Sequence, residues 1–171
     1  VTGVQTCALP IYTASVVKVD TTEGPLVIKR YNIKSWMHLA SRLFRKSRAW
    51  RSWANAMRLE FLGIPTVRPV ALIEERWGPL RRRAYFISRF IEGPDATSLV
   101  TQSQPDAAIS SVAEIIASLA AAGVSHGDLK ASNFVLSADG VAILDLDAMT
   151  EHADPAAAAA AADRDRHRFM Q

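Results

Sequence analysis

The feature that most constrains this chain is a ten-residue stretch, SHGDLKASNF, at residues 125–134. It places a lysine two residues after Asp128 and an asparagine, Asn133, five residues after it. An apolar hairpin with an Asp-Gly turn is predicted directly afterwards, and its second strand ends in the acidic sequence DLD at 145–147. Each of these residues alone could be an ordinary turn or core residue, so only their combination indicates a particular chemistry.

The spacing of these polar residues suits phosphoryl transfer, in which a protein positions a hydroxyl, metal ions and a cation around a phosphate. Asp128 follows a predicted helix, so its carboxylate can point at a hydroxyl, and Lys130 can neutralise the transferring phosphate. Asn133 and Asp145 come close through the hairpin pairing, and each offers the kind of oxygen ligand that Mg²⁺ prefers. The sequence therefore predicts a metal and phosphate site at this hairpin.

The other segments predict strands first and helices later. The first half of the chain predicts a hairpin, a helix and two strands, at 15–32, 47–62, 67–76 and 81–93. A Gly-Pro-Asp sequence at 93–95 predicts a hinge or linker. A helix follows a capping box at 103–106, and a charged helix ends the chain. The apolar stripe of the first of these helices consists of Ile109, Val112, Ile116 and Leu119. This order predicts an α+β protein with two lobes.

The first eleven residues, VTGVQTCALPI, correspond codon by codon to a translated short-read sequencing adapter. We therefore expect residues 1–11 to be a non-native segment that takes no part in the fold, the alternative being a native N-terminal strand. Cys7 is the only cysteine, and without it the chain has no disulfide and no cysteine-bound metal. We also expect the natural N-terminus to be missing and the C-terminal lobe to be shortened.

Charge is distributed unevenly along the chain. Residues 1–100 contain 16 lysines and arginines and 7 acids, whereas residues 101–171 contain 4 and 10. The basic half predicts an anionic partner, and the alternative is an ordinary solvated surface. The basic residues concerned include Arg42, Arg45, Lys46, Arg48, Arg51 and the arginines at 81–83.

Two kinds of partner are not expected. Trp50 and Trp53 alternate with arginines as in a nucleic-acid-binding patch, but we expect both to pack in the core, and so predict no nucleic-acid partner. The sequence has no run of about 18 uncharged apolar residues, which predicts that no segment spans a membrane. No secretory signal is visible either.

The stretch at 125–134 resembles the catalytic loop of the protein-kinase-like superfamily, which reads H-R-D-L-x-x-x-N and precedes D-F-G. Gly127 replaces the arginine, and D-L-D replaces D-F-G. Together with VIKRYN, RLEFLGIPTVRPVALIEER and ILDLDAM, the chain resembles the bacterial lipopolysaccharide kinase (Kdo/WaaP) family over residues 15–170. The resemblance implies a two-lobed protein-kinase-like fold, truncated at both ends, with a partial N-lobe at 12–92 and a partial C-lobe at 93–171.

The resemblance also implies a function. The chain would use ATP and Mg²⁺ to phosphorylate a sugar hydroxyl, on Kdo or heptose, in the inner core of lipopolysaccharide. The reaction would take place in the cytoplasm, with the protein held peripherally at the anionic surface of the inner membrane. One alternative is an atypical protein kinase, which would need a peptide-docking segment after Asp147. Another is a catalytically impaired kinase-like fragment.

Individual residues take roles from the same resemblance. Asp128 would be the catalytic base, and Lys130 would assist at the γ-phosphate. Asn133 and Asp145 would hold Mg²⁺, and Lys29 would contact the phosphates of ATP. The backbone groups expected to meet the adenine are those of Phe90, Ile91 and Glu92.

The sequence departs from the family pattern in three places. The glycine-rich phosphate loop that should precede Ser15 is absent. Residues 47–59 contain no acid, so Glu60 is the available helix partner for Lys29. Asp147 stands where the family has a glycine, and we expect it to hydrogen-bond within its loop, the alternative being a further metal contact. The first two departures favour impaired nucleotide binding in this chain.

Overall fold

The computed structural model describes residues 4–7, 14–32, 46–78, 80–101 and 106–170. Within these ranges the chain forms three α-helices and nine strands, which confirms the predicted α+β class. The chain divides into two compact units. The first unit contains Val1–Met57 and Arg68–Phe90, and the second contains Arg58–Val67 and Ile91–Gln171.

The first unit is built on an antiparallel sheet of five strands in the order β1-β2-β3-β5-β4. The strands are β1 (Val4–Cys7), β2 (Ala14–Thr21), β3 (Gly24–Tyr31), β4 (Pro69–Trp77) and β5 (Leu80–Arg89). β-Branched and aromatic residues recur along them, as expected for a half-buried pleated surface. The hairpin predicted at 15–32 and the two strands predicted at 67–76 and 81–93 are confirmed.

Strand β1 forms one edge of this sheet. Val4 pairs with Val19 and Cys7 pairs with Val16 across to β2. The expectation that residues 1–11 take no part in the fold is therefore wrong for Val4–Cys7. An edge strand offers unpaired backbone groups to any extended segment, whatever its side chains, so this pairing does not bear on the origin of the segment.

Helix α1 (Arg48–Phe61) confirms the helix predicted at 47–62. Gly63, with a φ of 69°, lies in the left-handed conformation that follows many helices. Against the sheet, the hydroxyl groups of Ser52 and Tyr31 are hydrogen-bonded at 2.8 Å in a buried position. The predicted core positions of Trp50 and Trp53 are wrong, because both rings are only half-buried. Arg42 and Arg45 lie outside the described residues.

The second unit contains two α-helices and two small antiparallel sheets. The helices are α2 (Asp106–Ala121) and α3 (Pro155–Phe169), and the paired strands are β6 (Val124–Ser125) with β9 (Thr150–Glu151), and β7 (Phe134–Ser137) with β8 (Gly140–Ile143). The largest fully buried apolar side chains here are those of Leu59, Leu129, Phe134, Ile143 and Leu146. Two of them, Leu129 and Phe134, belong to the 125–134 stretch, so this stretch is part of the core of the unit.

The predicted stripe of helix α2 is correct only in part. Val112 and Leu119 are buried, but the buried residue between them is Ile115, and Ile109 is 51% exposed. The buried residues of this helix begin only at Val112, so its first turn is left out of the core. The predicted capping box at 103–106 has its serine outside the described residues.

The Gly-Pro-Asp sequence at 93–95 is packed against strand β7. A side-chain carbon on Gly93 would lie 1.9 Å from the carbonyl oxygen of Leu136, a distance at which no side chain fits. The Leu136 amide donates to the carbonyl of Pro94 at 2.8 Å, and Asp95 forms a β-bridge with Val135. The segment is thus held by backbone contacts within the second unit.

Candidate active site

The SHGDLKASNF stretch forms the loop between strands β6 and β7. His126 is fully buried, and its ring Nε2 lies 2.9 Å from the carbonyl oxygen of Leu144. Because a carbonyl only accepts, Nε2 carries the hydrogen of this bond. His126 therefore ties the loop to the residue just before Asp145.

Gly127 adopts a conformation that other residues avoid. Its φ is 80°, and a side-chain carbon at this position would lie 2.8 Å from the carbonyl oxygen of Ala148. Steric exclusion by this backbone group and the positive φ together explain why the position is a glycine.

Asp128 and Lys130 are the accessible charged groups of the loop. Lys130 Nζ lies 3.0 Å from Asp128 Oδ2, and the two side chains are 50% and 49% exposed. A half-exposed ion pair of this kind contributes little to stability, because water screens both charges. Both side chains are consequently available to a substrate.

Asn133 is buried at the end of the loop. Its Nδ2 donates to the backbone carbonyl of Asp128 at 2.8 Å, which leaves its Oδ1 as the acceptor of the amide group. Its own carbonyl accepts the amide hydrogen of Leu144 at 2.7 Å. The pairing of β7 with β8, in which Phe134 faces Ile143, thus brings Asn133 to Leu144, the residue before Asp145. The proximity of Asn133 to Asp145 itself stays a prediction.

Asp145 has a strained backbone. Its φ and ψ are 59° and 56°, and no other residue except glycine has a positive φ in the described part of the chain. Such a conformation costs on the order of 1–3 kcal/mol and is typical of functional sites. The next three residues, Leu146–Ala148, form a short 3-10 helix in which Asp147 is buried.

Asp165 on helix α3 is a loop anchor that sequence reasoning missed. Its carboxylate is buried and accepts two backbone amides, from His126 at 2.5 Å and from Gly127 at 3.0 Å. Arg168, on the same helix, donates to the carbonyl of Gly127. The sequence carried no signal that set Asp165 apart from Asp163, which lies two residues earlier on the same helix and is exposed.

Four of the predicted site residues belong to one loop and hairpin of the second unit, and the other predicted site residues are divided between the two units. Asp128, Lys130, Asn133 and Asp145 all belong to the second unit, within one loop and its hairpin. Ile91 and Glu92 also belong to the second unit, whereas Lys29 and Phe90 belong to the first.

Within the first unit, Lys29 is half-buried on β3. It lies opposite Val16 of β2 and Phe86 of β5, on the sheet face that carries Tyr31. Phe90 continues the sheet beyond β5, since its amide donates to the carbonyl of Pro25 at 3.0 Å. Glu60 is exposed on the last turn of α1.

The fold matches solved structures of kinases. WaaP in complex with acyl carrier protein is 16% identical with a TM-score of 0.67, and the match covers 95% of this chain and 68% of WaaP. The Rio2 kinase-ADP/Mg²⁺-phosphoaspartate complex from Chaetomium thermophilum is 18% identical with a TM-score of 0.63, and the match covers 97% of this chain and 53% of Rio2. The chain therefore has a protein-kinase-like fold, and it spans about two thirds of one of these proteins and about half of the other.

The particular family follows from a sequence comparison. The family model for the lipopolysaccharide kinase (Kdo/WaaP) family matches residues 19–167. The chain belongs to this family, as its sequence resemblance indicated. A search of curated proteins gave no match. None of the helices in the described part of the chain is long and apolar enough to cross a bilayer.

Proposed function

We propose that this chain is an ATP-dependent kinase domain that phosphorylates a sugar hydroxyl, on Kdo or heptose, in the inner core of lipopolysaccharide. The observation that supports it best is the position of Asp128: an accessible carboxylate on a loop whose backbone is held from both sides. Asp165 binds the amides that precede Asp128, and Asn133 binds its carbonyl. A rigid loop that presents one carboxylate is what positioning of a hydroxyl requires.

In the proposed reaction, the sugar hydroxyl oxygen forms a bond to the γ-phosphorus of ATP while the bond to the β,γ-bridging oxygen breaks. The hydroxyl proton passes to the Asp128 carboxylate, and ADP leaves. Lys130 lies 3.0 Å from that carboxylate and would neutralise charge on the transferring phosphate. Both roles require solvent-accessible side chains, and both side chains are half-exposed.

Asn133 and Asp145 fit a site for Mg²⁺. The Nδ2 hydrogen bond to Asp128 leaves the Asn133 oxygen as the ligand atom, and Asp145 directly follows Leu144, whose amide donates to the Asn133 carbonyl. Within the described residues no three His, Cys, Asp or Glu side chains lie together as a metal site, so the remaining ligands would be nucleotide phosphates and water. Mg²⁺, when bound, supplies positive charge to the phosphates.

ATP would also contact residues of the N-lobe. Lys29 would bind its phosphates, and the adenine would meet the backbone at Phe90, Ile91 and Glu92. The Rio2 structure contains ADP and Mg²⁺, which supports the same cofactors here. We assign residues 12–92 to the N-lobe and residues 93–171 to the C-lobe, and place the protein in the cytoplasm at the inner membrane.

Transfer of labelled phosphate from ATP tests the proposal. We expect label in lipopolysaccharide core glycolipid and none in a mixed protein pool. Asp128→Asn should lower the rate of phosphate transfer roughly a hundredfold or more, while nucleotide binding persists. Lys29→Ala should lower both the rate of transfer and the affinity for nucleotide. Asp139→Asn, in the exposed turn between β7 and β8, is the matched control and should leave the rate unchanged.

Two results would contradict the proposal. Label in protein alone would favour the atypical protein kinase. Normal turnover by Asp128→Asn would remove its role as the base. A chain that neither binds ATP nor transfers phosphate would be the catalytically impaired form, and a thermal shift with ATP and Mg²⁺ separates that case from the other two.

A further inference from the structure

Helix α1 buries mainly small residues and leaves two of its large apolar residues, Met57 and Phe61, exposed. The buried side chains of this helix are those of Ala49, Ser52, Asn55, Ala56 and Leu59. In an ordinary amphipathic surface helix the large apolar residues form the buried stripe. Here only Leu59 among the large apolar residues is buried, so the apolar stripe has turned away from the sheet.

The outward stripe consists of Trp50, Ala54, Met57 and Phe61, and we call it the α1 stripe. Its members are spaced by four, three and four residues, so they form one line along the helix. Trp50 is half-buried, Met57 is 46% exposed and Phe61 is 91% exposed. An apolar line that is exposed at Met57 and Phe61, unlike one scattered residue, is typical of an interaction surface.

Basic residues predominate around this stripe. Residues 46–61 contain Lys46, Arg48, Arg51 and Arg58 against one acid, the exposed Glu60, and Arg58 pairs with Glu151 at 2.6 Å. Lys46 Nζ lies 3.4 Å from the centroid of the Trp50 ring, and Arg51 is exposed on the same helix. The surface next to the stripe therefore favours an anionic partner.

We propose that the α1 stripe docks on the surface of an anionic lipid bilayer, with Met57 and Phe61 at the level of the acyl chains and the basic residues at the headgroups. Helices that combine an apolar line, an interfacial tryptophan and adjacent lysine and arginine side chains bind bilayers in this way. The inference rests on the proposed function, because a membrane glycolipid as acceptor requires the kinase to work at a bilayer. The inference assigns the contact between the protein and the bilayer to one face of helix α1.

The test is flotation of the whole chain with vesicles, without nucleotide or acceptor. We expect binding to vesicles of phosphatidylglycerol and phosphatidylethanolamine, and little to phosphatidylcholine vesicles. The double variant Met57→Asp, Phe61→Asp should lose roughly tenfold or more in partitioning, since it removes two apolar contacts and adds negative charge. The matched control is Trp77→Asp, at an aromatic side chain that is 77% exposed on strand β4, and it should change partitioning by less than about twofold.

Three outcomes would overturn the inference. One is equal binding of the double variant and the unmodified chain. Another is equal binding to neutral and anionic vesicles. The third is a lipid-independent dimer, or a stable complex with another protein, that the double variant abolishes while vesicle binding stays the same. Thermal unfolding of each variant checks that it is folded.

A parallel assay separates this inference from the proposed function. The double variant should phosphorylate a deacylated, water-soluble core oligosaccharide as fast as the unmodified chain does. If the unmodified chain binds anionic vesicles through the stripe but phosphorylates no core sugar, the proposed function fails and the docking surface stands. If it phosphorylates the sugar and the vesicle result is negative, the docking surface fails alone.

Discussion

Helices α1 and α3 each place side chains where an amphipathic helix would not, and they do so in opposite ways. Helix α3 buries the carboxylate of Asp165, whereas α1 exposes Met57 and Phe61. The buried carboxylate is matched inside the chain, because two backbone amides of the catalytic loop donate to it. No comparable contact covers Phe61 among the described residues, where it is 91% exposed.

Asp165 and Phe61 thus illustrate two different roles for a residue that breaks the amphipathic pattern of its helix. An acid that is buried with full hydrogen bonding fixes the shape of a neighbouring loop. An exposed aromatic residue that lies in line with other apolar residues does not stabilise the fold, but it can contact an external partner. A residue that breaks the pattern of its helix should therefore be tested for each role. Unfolding measurements test whether it supports the fold, and binding measurements test whether it contacts a partner.

Asp165→Asn should have the largest effect. The asparagine keeps one acceptor oxygen but turns an N–H₂ group toward a backbone amide, so one buried N–H loses its partner. We expect the free energy of unfolding to fall by about 3 kcal/mol and turnover to fall roughly a hundredfold as the loop shifts. Chemical denaturation and phosphate transfer measure the two effects.

The matched control for that variant is Asp163→Asn. Asp163 is exposed on the same helix and pairs with Arg166 at 3.1 Å, so its loss should change stability by less than about 0.5 kcal/mol. Equal losses from both variants would show that α3 needs negative charge in general and not an anchor at Asp165.

Gly127→Ala should have the second largest effect on stability and turnover. The methyl group would meet the carbonyl of Ala148, and the residue would have to keep a φ of 80°. We expect a loss of about 2 kcal/mol in the free energy of unfolding, with a fall in kcat and little change in KM. Gly140→Ala is the comparison, since its φ is also positive but nothing lies within 4 Å of the added carbon. Equal effects would mean that backbone strain, and not the collision, excludes side chains at Gly127.

Ser52→Ala should have a smaller effect on the first unit. It removes the buried hydrogen bond between Ser52 and Tyr31, and we expect a loss of about 1 kcal/mol. A double-mutant cycle with Tyr31→Phe measures the pair directly. The two losses should not add, because either change alone breaks the same bond.

Phe61→Ser should have the smallest effect on stability. Its side chain is almost fully exposed, so the free energy of unfolding should change by less than about 0.5 kcal/mol. A loss well above this, seen in denaturant titration, would mean that Phe61 supports the fold. The contrast drawn between α1 and α3 would then disappear.

The site and the fold differ in how far the sequence predicted them. Asp128, Asn133 and Asp145 lie within one loop and its hairpin, so a local spacing and a turn signal were enough to bring Asn133 to Leu144, the residue before Asp145. Strands β2 to β5 of the first unit were predicted for the same reason, since each of their two hairpins is closed by its own turn, whereas β1 was not predicted. Membership of the lipopolysaccharide kinase (Kdo/WaaP) family came from the same motifs.

The sequence did not predict contacts between distant segments. Asp165 lies 38 residues from Gly127, and nothing local distinguishes it from Asp163. Hydrophobicity suggested that Trp50 and Trp53 were core residues, because composition does not say which face of α1 meets the sheet. Ile109 was placed in the core of α2 because periodicity alone does not show where the contact of a helix begins.

The contacts at Gly93–Asp95 have a consequence for limited proteolysis. The Gly-Pro-Asp sequence predicted a hinge or linker, a kind of segment that proteases often cut, but here the Pro94 carbonyl accepts from Leu136, and Asp95 is bridged to Val135. A protease needs several residues in extended form in its own cleft, and these are already engaged with β7. We therefore expect this segment to resist cleavage and the amide of Leu136 to exchange slowly with deuterated water.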